Sequence, residues 1–93
     1  MPFIWGDFNA RGWAGNGDES IYALDRDALA AIPAANGMLA FVWGDDEPGT
    51  IFGYVAKLQF VTLGAYTGWR AEPIAGSFYR GPKPAFPLRE PGA

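Results

Sequence analysis

The chain has 93 residues, a formal net charge of −3 and a sequence pI of about 4.6, with 49% hydrophobic and 16% aromatic residues and neither cysteine nor histidine. That length allows one domain with one core, burying only about 60–65% of the surface its unfolded chain exposes. The missing residue types remove disulfides, thiolate sites, ordinary zinc centres and the serine and cysteine nucleophile arrangements that lean on an imidazole.

In chain order, Phe3-Ile4-Trp5-Gly6-Asp7 opens an alternating stretch over residues 2–8 that predicts a strand. Residues 9–19, with Gly12, Gly15 and the Asn16-Gly17 dipeptide, predict a loop, because these residues tolerate positive φ. Within it, Asp7, Asn9, Gly12 and Asp18 fall at calcium-loop spacing, but Arg11 would put a cation at the fifth ligand position. A hydrophilic hairpin loop is expected there, and no metal. The same glycines lack the Gly-Lys-Ser/Thr ending of a phosphate loop. Residues 20–24, Ser-Ile-Tyr-Ala-Leu, predict a short strand. Asp25 then caps a helical turn or two over 25–32 that stops at Pro33, with a continued strand as the alternative.

Asn36-Gly37 makes a turn into residues 38–43, the most continuous apolar run in the chain, expected as a strand apolar on both faces. It ends on Phe41-Val42-Trp43-Gly44-Asp45, an echo of residues 3–7. The echo dies after the aspartate, where Phe8 and Asn9 stand against Asp46 and Glu47, so a duplicated domain is rejected. What remains is an apolar strand with a tryptophan, a glycine where the strand gives out, and an aspartate opening a loop. Residues 50–61 set Phe52, Tyr54, Ala56, Leu58 and Phe60 on one face at period two, with Gly53 on the other as a bulge or close-approach point. A turn at 63–64 leads to a last strand over 68–74. From Gly81 onward, prolines 82, 84, 87 and 91 predict an extended polyproline-type tail.

These elements predict a mainly β domain over residues 1–80, a small antiparallel barrel or strongly bent sheet, followed by a tail over 81–93. The long bent strand, short turn and terminal strand resemble the pattern of SH3-like small barrels. An α+β roll, with the 25–32 helix on one sheet face, is the alternative.

Charge is uneven. Residues 1–50 hold eight acids against Arg11 and Arg26, whereas residues 51–93 hold Lys57, Arg70, Arg80, Lys83 and Arg89 against Glu72 and Glu90. Asp45, Asp46 and Glu47 sit together beside a Pro-Gly turn, where a solvated loop is expected rather than an acid/base pair flanking a cleft. No enzymatic activity and no cofactor are expected. Apolar strands with two aromatic faces in a fold with one interior imply outward-facing rings, which mark binding surfaces. The expected function is a non-catalytic interaction module, of adaptor or inhibitor type, binding a protein partner through Trp43, Tyr54, Trp69 and Arg70, with the acidic loops 44–47 (Asp45, Asp46, Glu47) and 18–19 (Asp18, Glu19) steering the encounter. Two alternatives are carried: capture of a nucleotide or other small ligand, with Trp13 or Trp69 stacking and Arg11, Arg70 or Arg80 holding phosphate, and a structural or assembly subunit. The net charge argues against nucleic acid as the main partner. No apolar run reaches the roughly 18 residues of a membrane span, and no leader pattern opens the chain, so a cytoplasmic protein is expected. The tail carries Pro84-Ala85-Phe86-Pro87-Leu88-Arg89, a P-x-x-P-x-R pattern. That pattern is of the type SH3 domains read; a proline tail can also lie in an aromatic groove of its own domain or of a partner copy.

Overall fold

The computed structural model describes residues 1–8 and 19–82. The predicted glycine-rich loop, with its calcium-like spacing and Trp13, and the proline-rich residues from 83 onward lie outside the described residues. Five strands form one sheet: β1 (Phe3–Trp5), β2 (Leu39–Asp45), β3 (Thr50–Leu63), β4 (Tyr66–Pro73) and β5 (Tyr79–Pro82). One six-residue helix, α1 (Arg26–Ala31), lies between β1 and β2 in the chain. The fold is therefore mainly β, as expected, but its ladders do not close into a barrel.

The first pair corrects the expectation of an all-antiparallel sheet. β1 runs parallel to β2, with Phe3 opposite Phe41, Ile4 opposite Val42 and Trp5 opposite Trp43. The two echoed pentapeptides thus lie side by side in register. Parallel neighbours need a crossover rather than a hairpin, and the connection through α1 supplies it. Both copies solve one packing problem: Ile4 and Val42 enter the core, while Phe3, Trp5, Phe41 and Trp43 alternate to the other side. Gly44 does not mark the end of its strand. It lies within β2, where a Cβ would come within 3.0 Å of the Phe8 ring.

β3 is the spine. Its first half pairs with β2 on one edge, from Ile51 opposite Asp45 to Lys57 opposite Leu39. Along the other edge β4 covers residues 56–63 and β5 covers residues 50–53, so the two act as one long partner interrupted at 74–78. Gly81 and Pro82, read from the sequence as the start of the tail, pair with Ile51 and Thr50. The predicted strand 20–24 appears only as two isolated bridges, Gly6 to Leu24 and Ile21 to Ala71. Those bridges connect the free edge of β1 to that of β4.

The core comprises Ile4, Ile21, Leu24, Ala28, Leu29, Ala40, Val42, Ala56, Leu58 and Ala71. α1 reaches it with Ala28 and Leu29 alone. Asp25 caps this short helix as predicted, its Oδ1 accepting from the N–H groups of Asp27 at 3.1 Å and Ala28 at 3.4 Å.

Candidate functional site

An open groove of about 880 Å³ runs between α1 with its following turn and the start of β4. Its helix side is Arg26, Leu29, Ala30, Pro33 and Ala34; its floor is Tyr22, Ala23 and Leu24; its sheet side is Trp5, Asp7, Tyr66, Thr67, Gly68 and Trp69. The lining is mostly aromatic and aliphatic, with one carboxylate and one guanidinium.

The rings of this wall are fixed by their neighbours. The β3–β4 turn uses Gly64 at φ +55°, which brings Trp69 back opposite Phe60, edge to face, with ring centroids 5.4 Å apart. Tyr66 lies over Gly68, where a Cβ would sit 2.9 Å from the tyrosine oxygen, and the freed space lets its hydroxyl donate to the Trp69 carbonyl. Tyr22 meets Tyr66 edge to face, with centroids 5.3 Å apart and planes at 89°. Arg70 donates from Nη1 to the Tyr22 hydroxyl at 3.3 Å and from Nε to Gln59 Oε1 at 2.8 Å, which ties the floor of the groove to β3. Burial pushes the Tyr66 hydroxyl above its ordinary pKa, partly opposed by the Arg26 charge. The Tyr66 ring is therefore uncharged at physiological pH.

The residues expected to form one binding face are distributed over four places. Trp69 and Arg70 belong to or support the groove. Tyr54 stands in a separate strip, with its ring 5.8 Å from Phe8 and 5.3 Å from Phe78, while Phe8 in turn meets Phe52 at 4.6 Å. Asp45 at the end of β2 and Asp46 and Glu47 on the β2–β3 turn are exposed, at the opposite end of β3 from the groove's Trp69 side. There Asp46 Oδ2 accepts from Arg80 Nε at 2.7 Å, an exposed pair that raises the Arg80 pKa, chiefly through the hydrogen bond. Trp43 is 0% exposed, so it belongs to the interior of the fold and presents no surface.

Tyr22, Arg26 and Asp7 were not among the expected site residues. Tyr22 sat in a predicted strand and Arg26 in a predicted helix, and nothing in local spacing says that those elements converge on β4. Phe60, 49% exposed, extends the ring wall outward from Trp69. Among the described residues no group of three or more acidic side chains is placed to hold a metal ion, and no helix is long and apolar enough to cross a membrane. No protein-family model, no curated protein and no solved structure matches this chain.

Proposed function

We propose that the protein is a non-catalytic interaction module that binds a protein partner through the groove between α1 and β4. The observation that carries this is the pre-set ring wall of Tyr22, Tyr66 and Trp69 facing an open, mostly apolar trough. Aromatic side chains already locked by edge-to-face contacts and hydrogen bonds lose little entropy on docking, so more of their burial appears as affinity. The absence of histidine and cysteine from the whole sequence supports a binding role over catalysis, and a cysteine-free chain suits the cytoplasm. The bridges from 21–24 to both sheet edges support reading the bent sheet as a barrel-like scaffold of the SH3-like kind. In this reading the acidic β2–β3 turn adds long-range attraction rather than contact energy.

Affinity capture from cells of the source organism tests the reading, with wild type compared against Ala30→Glu. Ala30 is exposed on α1 and lines the groove, so the substitution places a charge in the trough while leaving the core intact. A stoichiometric partner held by wild type and lost by the variant, with both melting alike, is the expected result. Identical capture by the two proteins overturns it.

Small-ligand capture is the second reading, favoured by a groove volume within the roughly 300–1,000 Å³ usual for such sites. Titration of tryptophan fluorescence with a nucleotide and sugar panel decides it: saturable quenching supports a ligand site, and a flat response from every member rejects it.

A further inference from the structure

We propose that two Tyr-x-Gly-x tetrapeptides, Tyr66-Thr67-Gly68-Trp69 and Tyr79-Arg80-Gly81-Pro82, guard the open edge of the sheet. Each tyrosine hydroxyl caps an edge carbonyl, so that a second copy of this chain does not add a strand there. The inference does not depend on what the groove binds.

A sheet that does not close needs such a device. Among the described strands, β4 and β5 each pair with β3 alone, so their outer sides carry backbone groups on which another chain would build a further strand. The register says which groups these are. The Ile74 N–H donates to Val55 O on the β3–β4 side, and backbone groups alternate in direction along an antiparallel pair. Thr67, Trp69, Ala71 and Pro73 therefore direct their N–H and C=O groups away from β3. The bonds that Ala71 exchanges with Ile21 agree with that assignment. The same alternation, carried along β3 from Val55 to Gly53 and Ile51, turns Arg80 and Pro82 outward on β5.

Most of this outward set is withheld from a newcomer. Ala71 is taken by Ile21. Pro73 and Pro82 have no N–H to give. Arg80 sets a charged side chain on the edge, paired with Asp46. The two remaining features are the caps: Trp69 O accepts from the Tyr66 hydroxyl, and Pro82 O accepts from the Tyr79 hydroxyl at 3.0 Å.

Both caps are built alike. Residues i and i+2 of a strand share a face, so each tyrosine ring runs along its strand over the glycine two residues on. A Cβ would sit 2.9 Å from the tyrosine oxygen at Gly68 and 2.8 Å from it at Gly81, and 3.1 Å from Cζ at both. The missing side chain is what lets the hydroxyl pass the glycine and reach the carbonyl of residue i+3. Of the four tyrosines in the chain, Tyr22 and Tyr54 have Leu24 and Ala56 at that position. The two followed by glycine are the two on this edge, and both hydroxyls end on carbonyls that point outward.

The test is sedimentation velocity from low micromolar to near-millimolar concentration, joined to amide hydrogen exchange at both extremes. Four proteins are compared: wild type, Tyr66→Phe/Tyr79→Phe, Gly68→Ala/Gly81→Ala, and Tyr54→Phe as a control with the same chemical change away from this edge. The first double variant keeps both rings and removes only the hydroxyls; the second keeps the hydroxyls and pushes them off their carbonyls. Both should raise the self-association constant at least about tenfold over wild type. Exchange at Thr67, Trp69 and Arg80, whose N–H groups point outward, should slow as their concentration rises. Tyr54→Phe should sediment as wild type does. Thermal melts check that each protein is folded, and where a double variant is not, Tyr79→Phe alone decides through exchange at Arg80, because Tyr79 is exposed. The proposal is overturned if the uncapped proteins sediment as wild type does. It is equally overturned if they associate with no added protection at those amides, since the contact then lies elsewhere, or if Tyr54→Phe associates as strongly as they do.

Discussion

Gly53 stands where two constraints meet. A Cβ on it would lie 2.4 Å from the Val42 carbonyl oxygen and 2.8 Å from Cζ of Phe41, whose ring folds over the bare backbone. The carbonyl belongs to the β2–β3 ladder and has nowhere to go. Gly81 looks similar on paper, with 2.8 Å to the Tyr79 hydroxyl, but Tyr79 is 40% exposed and its ring can swing outward. Gly53→Ala should therefore cost about 2–3 kcal/mol, at the upper end of overpacking penalties, and lower the melting temperature by about 10 °C or more. Gly81→Ala should cost under about 1 kcal/mol, with loss of the 3.0 Å Tyr79 to Pro82 hydrogen bond as its main effect. Thermal and urea melts of the two variants check the difference; equal losses would mean that backbone contact is not what Gly53 avoids. The close approach at Gly53 was legible as one of two readings, because a glycine in a strongly alternating strand marks a bulge or a close backbone approach. The enclosure of Trp43 was not. A strand apolar on both faces gives no sign of which face is covered, and that depends on what the rest of the chain lays across it.

Ser77 joins two elements that backbone pairing alone would leave apart. Where β4 ends and β5 has yet to begin, residues 74–78 stand against only Tyr54 and Val55 on β3. The Ser77 hydroxyl fills the gap, accepting from the Val55 N–H at 3.1 Å and lying within donating distance of Ile74 O at 2.6 Å and Val55 O at 3.2 Å. Ser77→Ala would strip the Val55 amide of this partner, at about 1–3 kcal/mol for a part-buried donor. The loss should be local: faster hydrogen exchange at Val55, Tyr79 and Gly81, with β2 and the core of β3 unchanged. Uniform acceleration across the sheet would show that β5 is not a separately detachable unit. β5 escaped the sequence reading because Gly81-Pro82 carries the composition of a tail, and edge position is what lets proline sit in a strand. The helix was legible as the first of two readings, ahead of a continued strand, since its cap and its stop are local to Asp25 and Pro33. The parallel pairing of β1 with β2 was not, although the echoed pentapeptides were visible. Their identity says that the two strands meet similar surroundings, and only the crossover between them decides that they meet each other.

The two edges of the sheet are joined through residues 21–25. Ile21 exchanges both backbone hydrogen bonds with Ala71 of β4, at 2.9 and 2.8 Å. Two and four residues later, Ala23 O accepts from the Asp7 N–H just past the end of β1, and the Asp25 N–H donates to Trp5 O. The Ile21 side chain, 0% exposed, lies in the core cluster with Ile4, Leu58 and Ala71. Segment 19–25 therefore works as a strap across an otherwise open sheet, and the groove floor at Tyr22 is part of that strap. If the strap is integral, the molecule unfolds as one unit. Ile21→Ala should remove about 2–5 kcal/mol from global stability through the cavity it leaves. Far-UV circular dichroism and tryptophan fluorescence should then report a single coincident urea transition at a lower midpoint with an unchanged slope. A strap that merely leans on a self-sufficient sheet predicts something else: Tyr22 and Ala71 become mobile, the groove opens, and the midpoint hardly moves. The two outcomes separate a scaffold whose binding site is built into its core from one whose site can loosen independently. The coincident transition is expected, because the Ile21 contacts are shared between β1, β4 and the interior, and no described element between them could retain its burial alone.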